Sequence, residues 1–120
     1  MDPLIVKPGE GRPISPIGKD LSFFKALGAQ TGGSFALLEQ TVPPGHGPRR
    51  HVHRREEESF YILEGEFGFE VGETSFIAGP GTFVLVPPGV EHGFANRTAE
   101  PVRMLNIHAP GGFDQRVGID

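Results

Sequence analysis

Three proline and glycine triplets, Pro43-Pro44-Gly45, Gly79-Pro80-Gly81 and Pro87-Pro88-Gly89, divide this chain into short pieces. With 18 glycines and 12 prolines in 120 residues, turns are frequent and long helices are disfavoured. Between the breaks the apolar residues recur with period two. Phe67, Phe69 and Val71 share one face, and so do Val102, Met104, Asn106 and His108. Strands are expected at Ser34–Val42, Glu58–Leu63, Glu66–Val71, Thr74–Ala78, Phe83–Val86, Glu91–Ala95 and Val102–His108. Leu21–Leu27 also reads as a strand, with a short helix as the alternative. Together with an edge strand near the N-terminus this makes about nine or ten short strands, the spacing of a barrel or sandwich. The expected class is all-β and antiparallel, closed into a small barrel that removes exposed edges and can hold a ligand. The chain divides into an N-terminal arm (1–20), a barrel (21–112) and a C-terminal tail with at most a short helix (113–120).

Charge and composition narrow the partners. A formal charge of −4 gives no electrostatic case for nucleic acid or an anionic membrane. With no cysteine, thiolate ligands and thiol nucleophiles are excluded. No apolar run approaches the roughly 18–20 residues of a membrane span. The start, MDPLIVKPGEGRP, lacks the basic and apolar regions of a signal peptide, so a cytoplasmic location is expected. A homodimer is expected from the apolar pieces of the arm and the lateral face of Tyr61 and Leu63.

The chemistry concentrates between Gly45 and Gly65. His51 and His53 are two residues apart, so on an extended backbone both imidazoles face the same way and reach one metal ion. Glu56, Glu57 and Glu58 follow, and His92 heads a later strand behind Pro87-Pro88-Gly89. The spacing resembles the two motifs of the cupin superfamily, the double-stranded β-helix barrels. Gly45, His51, His53, Glu58 and Gly65 match the first motif; Gly81, Pro87, Gly89, His92 and Asn96 match the second. The resemblance of the two motifs covers residues 45–96, and the preceding segment, TGGSFALLEQTVPPG, is similar to small single-domain bacterial cupins grouped with quercetin dioxygenase-like proteins.

The resemblance implies one divalent transition metal held by His51, His53, Glu58 and His92. Three imidazoles and a carboxylate suit Fe, Mn, Ni, Cu or Zn better than calcium. Counting back six residues from Gly65 selects Glu58 over Glu57. Glu58 would double as a catalytic base on leaving the metal. Phe60, Phe94, Met104 and His108 are the candidate substrate-pocket residues. His46 reads as a loop residue at the mouth of the site. Arg49, Arg50, Arg54 and Arg55 read as solvated partners of Glu56 and Glu57, or as contacts to an anionic substrate. Gly45, Gly65, Gly81 and Gly89 are expected in turns with positive φ. The expected function is a metal-dependent dioxygenase acting on a small aromatic or enolic molecule. The alternatives are a non-catalytic metabolite-binding module and a metal-dependent isomerase.

Overall fold

The computed structural model describes residues 2–17 and 20–116. Positions 1, 18 and 19 of the expected arm and 117–120 of the expected tail lie outside the described residues. The strands are β1 (Arg12–Ile17), β2 (Asp20–Ala26), β3 (Ala36–Val42), β4 (Glu57–Glu64), β5 (Phe67–Val71), β6 (Thr74–Ala78), β7 (Phe83–Val86), β8 (His92–Ala95) and β9 (Val102–Ala109). A 3-10 turn at Gly28–Thr31 and a one-turn helix, α1 (Phe113–Arg116), complete the described elements. The period-two stretches are strands, and Leu21–Leu27 falls largely on β2 rather than on a helix. All pairings are antiparallel. One sheet has the order β1-β2-β3-β9-β4-β7 and the other β6-β5-β8. Among the described residues no helix is long and apolar enough to cross a membrane.

The two sheets close on one apolar core. Phe60 and Ile62 of β4, Phe67 and Phe69 of β5, Phe94 of β8 and Met104 of β9 all belong to it. Burying side chains of this size stabilises the fold by roughly 1.5–3 kcal/mol each. A smaller cluster of Phe24, Ala36 and Leu38 lies under β1, with Phe113 packed against it. The four motif glycines all take positive φ, as a side chain rarely does. On the outer face, β4 and β7 leave Tyr61, Phe83 and Leu85 exposed.

The site sits where the two sheets meet. The segment after Gly45 runs antiparallel beside β8: Gly45 N donates to Asn96 O (2.8 Å), Asn96 N to His46 O (2.9 Å) and His51 N to His92 O (2.8 Å). His51 and His92 form a β-bridge across this line. Gly47 makes the close approach feasible, because a Cβ there would run into the carbonyl of Phe94. Gly89 N donates to His53 O at 2.8 Å, which ties the second histidine to the turn before His92. Asn96 closes the line from below. Its amide donates to Val42 O and Glu100 O and accepts from Thr98, so this fully buried side chain is satisfied.

Candidate metal centre

Strand parity decides which glutamate faces inward. On β4, Glu58, Phe60 and Ile62 are buried while Glu57 and Tyr61 are exposed. Glu58 thus enters the site, and one of its oxygens is the point on which three imidazoles converge. Glu58 Oε1 is 2.6 Å from His92 Nε2, 3.3 Å from His53 Nε2 and 4.0 Å from His51 Nε2. The far nitrogens are held from behind. His51 Nδ1 lies 2.7 Å from Arg49 O and His92 Nδ1 lies 2.9 Å from Val90 O. A carbonyl only accepts, so each Nδ1 carries a proton, and an Nε2 without its own proton would present a lone pair toward Glu58. His92 Nε2 donates to Glu58 Oε1 at 2.6 Å, and a metal ion could take the place of that proton among the three rings and the carboxylate.

The donor set fits a divalent transition ion. The ligand atoms of His51, His53, Glu58 and His92 all lie within 4.8 Å of one another. Ligands bound to one ion at about 2.0–2.2 Å are at most about 4.4 Å apart, so the four atoms are gathered closely enough to be candidates for one ion. Nitrogen-rich ligation with one carboxylate selects a borderline metal over calcium or magnesium.

The cupin domain family matches residues 38–108, which hold both histidine motifs and the strands between them. The chain is a cupin. It is 27% identical over 112 residues to the quercetin 2,3-dioxygenase of Bacillus subtilis, covering 93% of this chain and 33% of that enzyme. The chain thus spans about a third of the length of that relative. An uncharacterized protein of Methanocaldococcus jannaschii is 30% identical over 97 residues, 78% of each chain. The structure of KdgF from Halomonas sp. superposes with a TM-score of 0.78 over 92% of this chain and 97% of that one, at 15% identity, which speaks for the fold alone.

Beyond its ligand set, the cupin orients Glu58 through β9. Asn106 Nδ2 donates to Glu58 Oε2 at 2.9 Å, and His108 Nε2 lies 2.6 Å from Asn106 Oδ1 and 3.3 Å from Glu58 Oε2. Phe113 of α1 stacks on His108, with ring centroids 3.7 Å apart, and meets His53 edge-on. A cavity of about 680 Å³ opens above the ligands. Leu38, Gln40, Val42, Phe94 and Phe113 line it, and so does His108.

Phe94 and His108 therefore flank the cavity. Phe60 and Met104, expected beside them, sit in the apolar core instead, one or two residue pairs deeper along β4 and β9. His46 is exposed at the rim. Arg49 lines the cavity, and Arg50 pairs elsewhere than with Glu56 or Glu57. Arg50 reaches across to Glu70 (3.0 Å), Glu91 (2.8 Å) and Gly72 O (2.8 Å). Glu56 is buried, not a surface partner, with its carboxylate 3.2 Å from His53 Nδ1. Sequence reasoning missed Glu56, Gln40 and Phe113 as site residues. Parity could have found the first two, since Glu56 lies two before Glu58 and Gln40 lies between Leu38 and Val42.

The charges in the site are coupled. Burial works against the Glu58 carboxylate, but the hydrogen bonds from His92 and Asn106 and the charges of His108 and His92 outweigh it and hold its pKa below the ordinary range. Burial likewise opposes the imidazolium of His92, yet its bonds to Glu58 and Val90 O raise its pKa above the ordinary 6.5. His53 is lowered, chiefly by burial, with Glu58 pulling the other way.

These directions give a testable slope for chelator-treated protein. The contribution of His92 is complete below its ordinary 6.5 and is lost as pH rises through its raised folded value. Glu58 and His53, both lowered, already contribute in full above 4.5 and 6.5 respectively. The urea midpoint of the metal-free protein should therefore fall as pH rises above 6.5. Metal affinity should rise over the same interval, because the ion displaces the His92 proton. A midpoint that climbs across this interval would contradict the assigned hydrogen bond.

Proposed function

We propose that this cupin binds one divalent transition metal through His51, His53, Glu58 and His92 and acts as a dioxygenase on a small enolic or aromatic molecule. The observation that carries the reading is the convergence of three imidazole Nε2 atoms on Glu58 Oε1 at the base of an open cavity. A redox-active ion held there would supply Lewis acidity toward a substrate oxygen and electrons for reaction with dioxygen. The chain's own residues do the rest. Leu38, Val42, Phe94 and Phe113 give the substrate an apolar bed and exclude water from it. Gln40 offers an amide on that wall for a polar substituent. Glu58 is the group placed to take the proton from a substrate hydroxyl, and Asn106 keeps its second oxygen oriented while it does so. The similarity to the Bacillus subtilis enzyme supports the same chemistry.

The test begins with protein purified without added metal or chelator. Metal content is measured, and oxygen uptake is then followed with flavonols, catechols and β-diketones. Stoichiometric Fe, Mn, Ni or Cu is expected, with uptake on at least one substrate that is lost in His51→Ala. Stoichiometric Zn without uptake would replace the dioxygenase by a metabolite-binding or isomerase role. Absence of any metal, even after soaking, would overturn the centre itself.

A further inference from the structure

Three consecutive glutamates enter the site region, and their fates differ. Glu57 is exposed and Glu58 faces the three Nε2 atoms. Glu56 lies two residues before Glu58, on the same side of the chain, and only 2% of its surface is exposed. Burying a carboxylate is costly unless a partner compensates. Its oxygen lies 3.2 Å from His53 Nδ1.

The other two histidines show what this contact does. Backbone carbonyls hold the Nδ1 protons of His51 and His92, at Arg49 O and Val90 O. Beside His53 Nδ1 stands a carboxylate oxygen of Glu56, at ion-pair distance. We propose that Glu56 is a positioning residue for the metal centre: it accepts the Nδ1 proton of His53 and so fixes the ring with its Nε2 lone pair aimed at the ion. The inference rests on the metal reading of the site. An anionic acceptor also makes the imidazole a stronger donor, and loss of such an outer partner typically weakens metal binding by about 10–100-fold.

The neighbouring geometry offers a rival. His53, Glu56 and His108 each present a ligand atom within 4.8 Å of the others, enough for a second ion. That ion would take His53 Nδ1 while the first takes Nε2, so the ring would lose both of its protons. A hydrogen bond to Glu56 needs no such step, and a neutral imidazole with one N–H satisfies both sides at once.

Zinc and cobalt(II) binding, measured by competition against a chromophoric chelator, separates these readings. Wild type should bind one ion per chain. Glu56→Ala should bind it about 10–100-fold more weakly. Glu56→Gln, which keeps the shape and an acceptor oxygen, should lose less than Glu56→Ala and guards against a folding defect. Glu57→Ala should match wild type. In zinc-loaded protein the His53 Nδ1–H resonance should be visible by NMR in wild type and Glu56→Gln. In Glu56→Ala it should vanish, while those of His51 and His92 persist. Two ions per chain in wild type, or unchanged affinity and an intact His53 resonance in Glu56→Ala, would overturn the proposal. If wild type takes up neither ion, the metal centre fails, and the same resonance in metal-free protein decides the role of Glu56 by its loss or persistence in Glu56→Ala.

Discussion

Glu58→Gln should abolish stoichiometric metal binding, whereas Glu57→Gln should leave it unchanged. The substitution is nearly isosteric, so the effect isolates charge. Glu58 is the group on which His51, His53 and His92 converge, and it brings the one anionic ligand of the set. Its loss should weaken binding by more than the roughly 10–100-fold typical of an outer partner. The same change should be felt without metal. At pH 6 the charge-assisted bond from His92, at 2.6 Å, is intact, and hydrogen bonds to charged groups contribute about 1.5–3 kcal/mol. Glu58→Gln should lower stability by about that amount at pH 6 and by less once the pH has risen through the raised pKa of His92. It should also release His92. Burial, the leading influence on that ring, lowers its pKa, and without the Glu58 charge and hydrogen bond it is opposed by the bond to Val90 O. Chelator competition, urea denaturation at two pH values and NMR titration of His92 check the three parts. Retention of metal by Glu58→Gln together with its loss in Glu57→Gln would mean that the register of β4 is misassigned.

That register was legible because parity and spacing agreed. Gly65 counts back to Glu58, and alternation on β4 puts Glu58 on the side of Phe60 and Ile62. The histidine spacing worked for a different reason. His51 and His53 lie outside the long strands, but the bridge to His92 and the bond from Gly89 N hold both at the site. Local periodicity reports which face a side chain takes and not how far along the barrel it lies. Depth is set by the stagger of neighbouring strands, which no single segment encodes. On β9, Val102, Met104, Asn106 and His108 all point inward, yet His108 and Asn106 meet Glu58 while Met104 is sealed in the core. Arg50 shows the same limit. Its partners are far from it in sequence: Glu70 lies on β5 and Glu91 directly before β8, the strand paired with it. Phe113 follows the last strand with no periodic signal, and the packing of α1 against His108 and the Phe24 cluster brings it to the cavity.

Depth also sorts the phenylalanines, and Phe60→Ala is the sharpest test of it. Phe60 is 1% exposed and packs edge-on against Phe69 and Phe94, with centroids 5.1 Å and 5.4 Å away. The ring of His92 lies 6.4 Å away. Truncating a phenylalanine in such a setting costs about 3–5 kcal/mol, because the transfer energy is lost and the close-packed walls cannot collapse into the cavity. For a chain of this size that is a fall of roughly 10–20 °C in Tm. Phe94→Ala should behave differently. Phe94 shares the aromatic cluster but also lines the substrate cavity, so part of the space it vacates opens to solvent. Its stability cost should be smaller, and its effect on KM for any substrate found in the oxygen-uptake panel should be larger. Metal content should survive in both variants at temperatures where they remain folded, since neither ring supplies a ligand. Differential scanning calorimetry and substrate titration of the two variants measure the contrast. A Phe60→Ala protein with nearly native Tm and a raised KM would place Phe60 at the cavity wall and reverse the order of depth along β4.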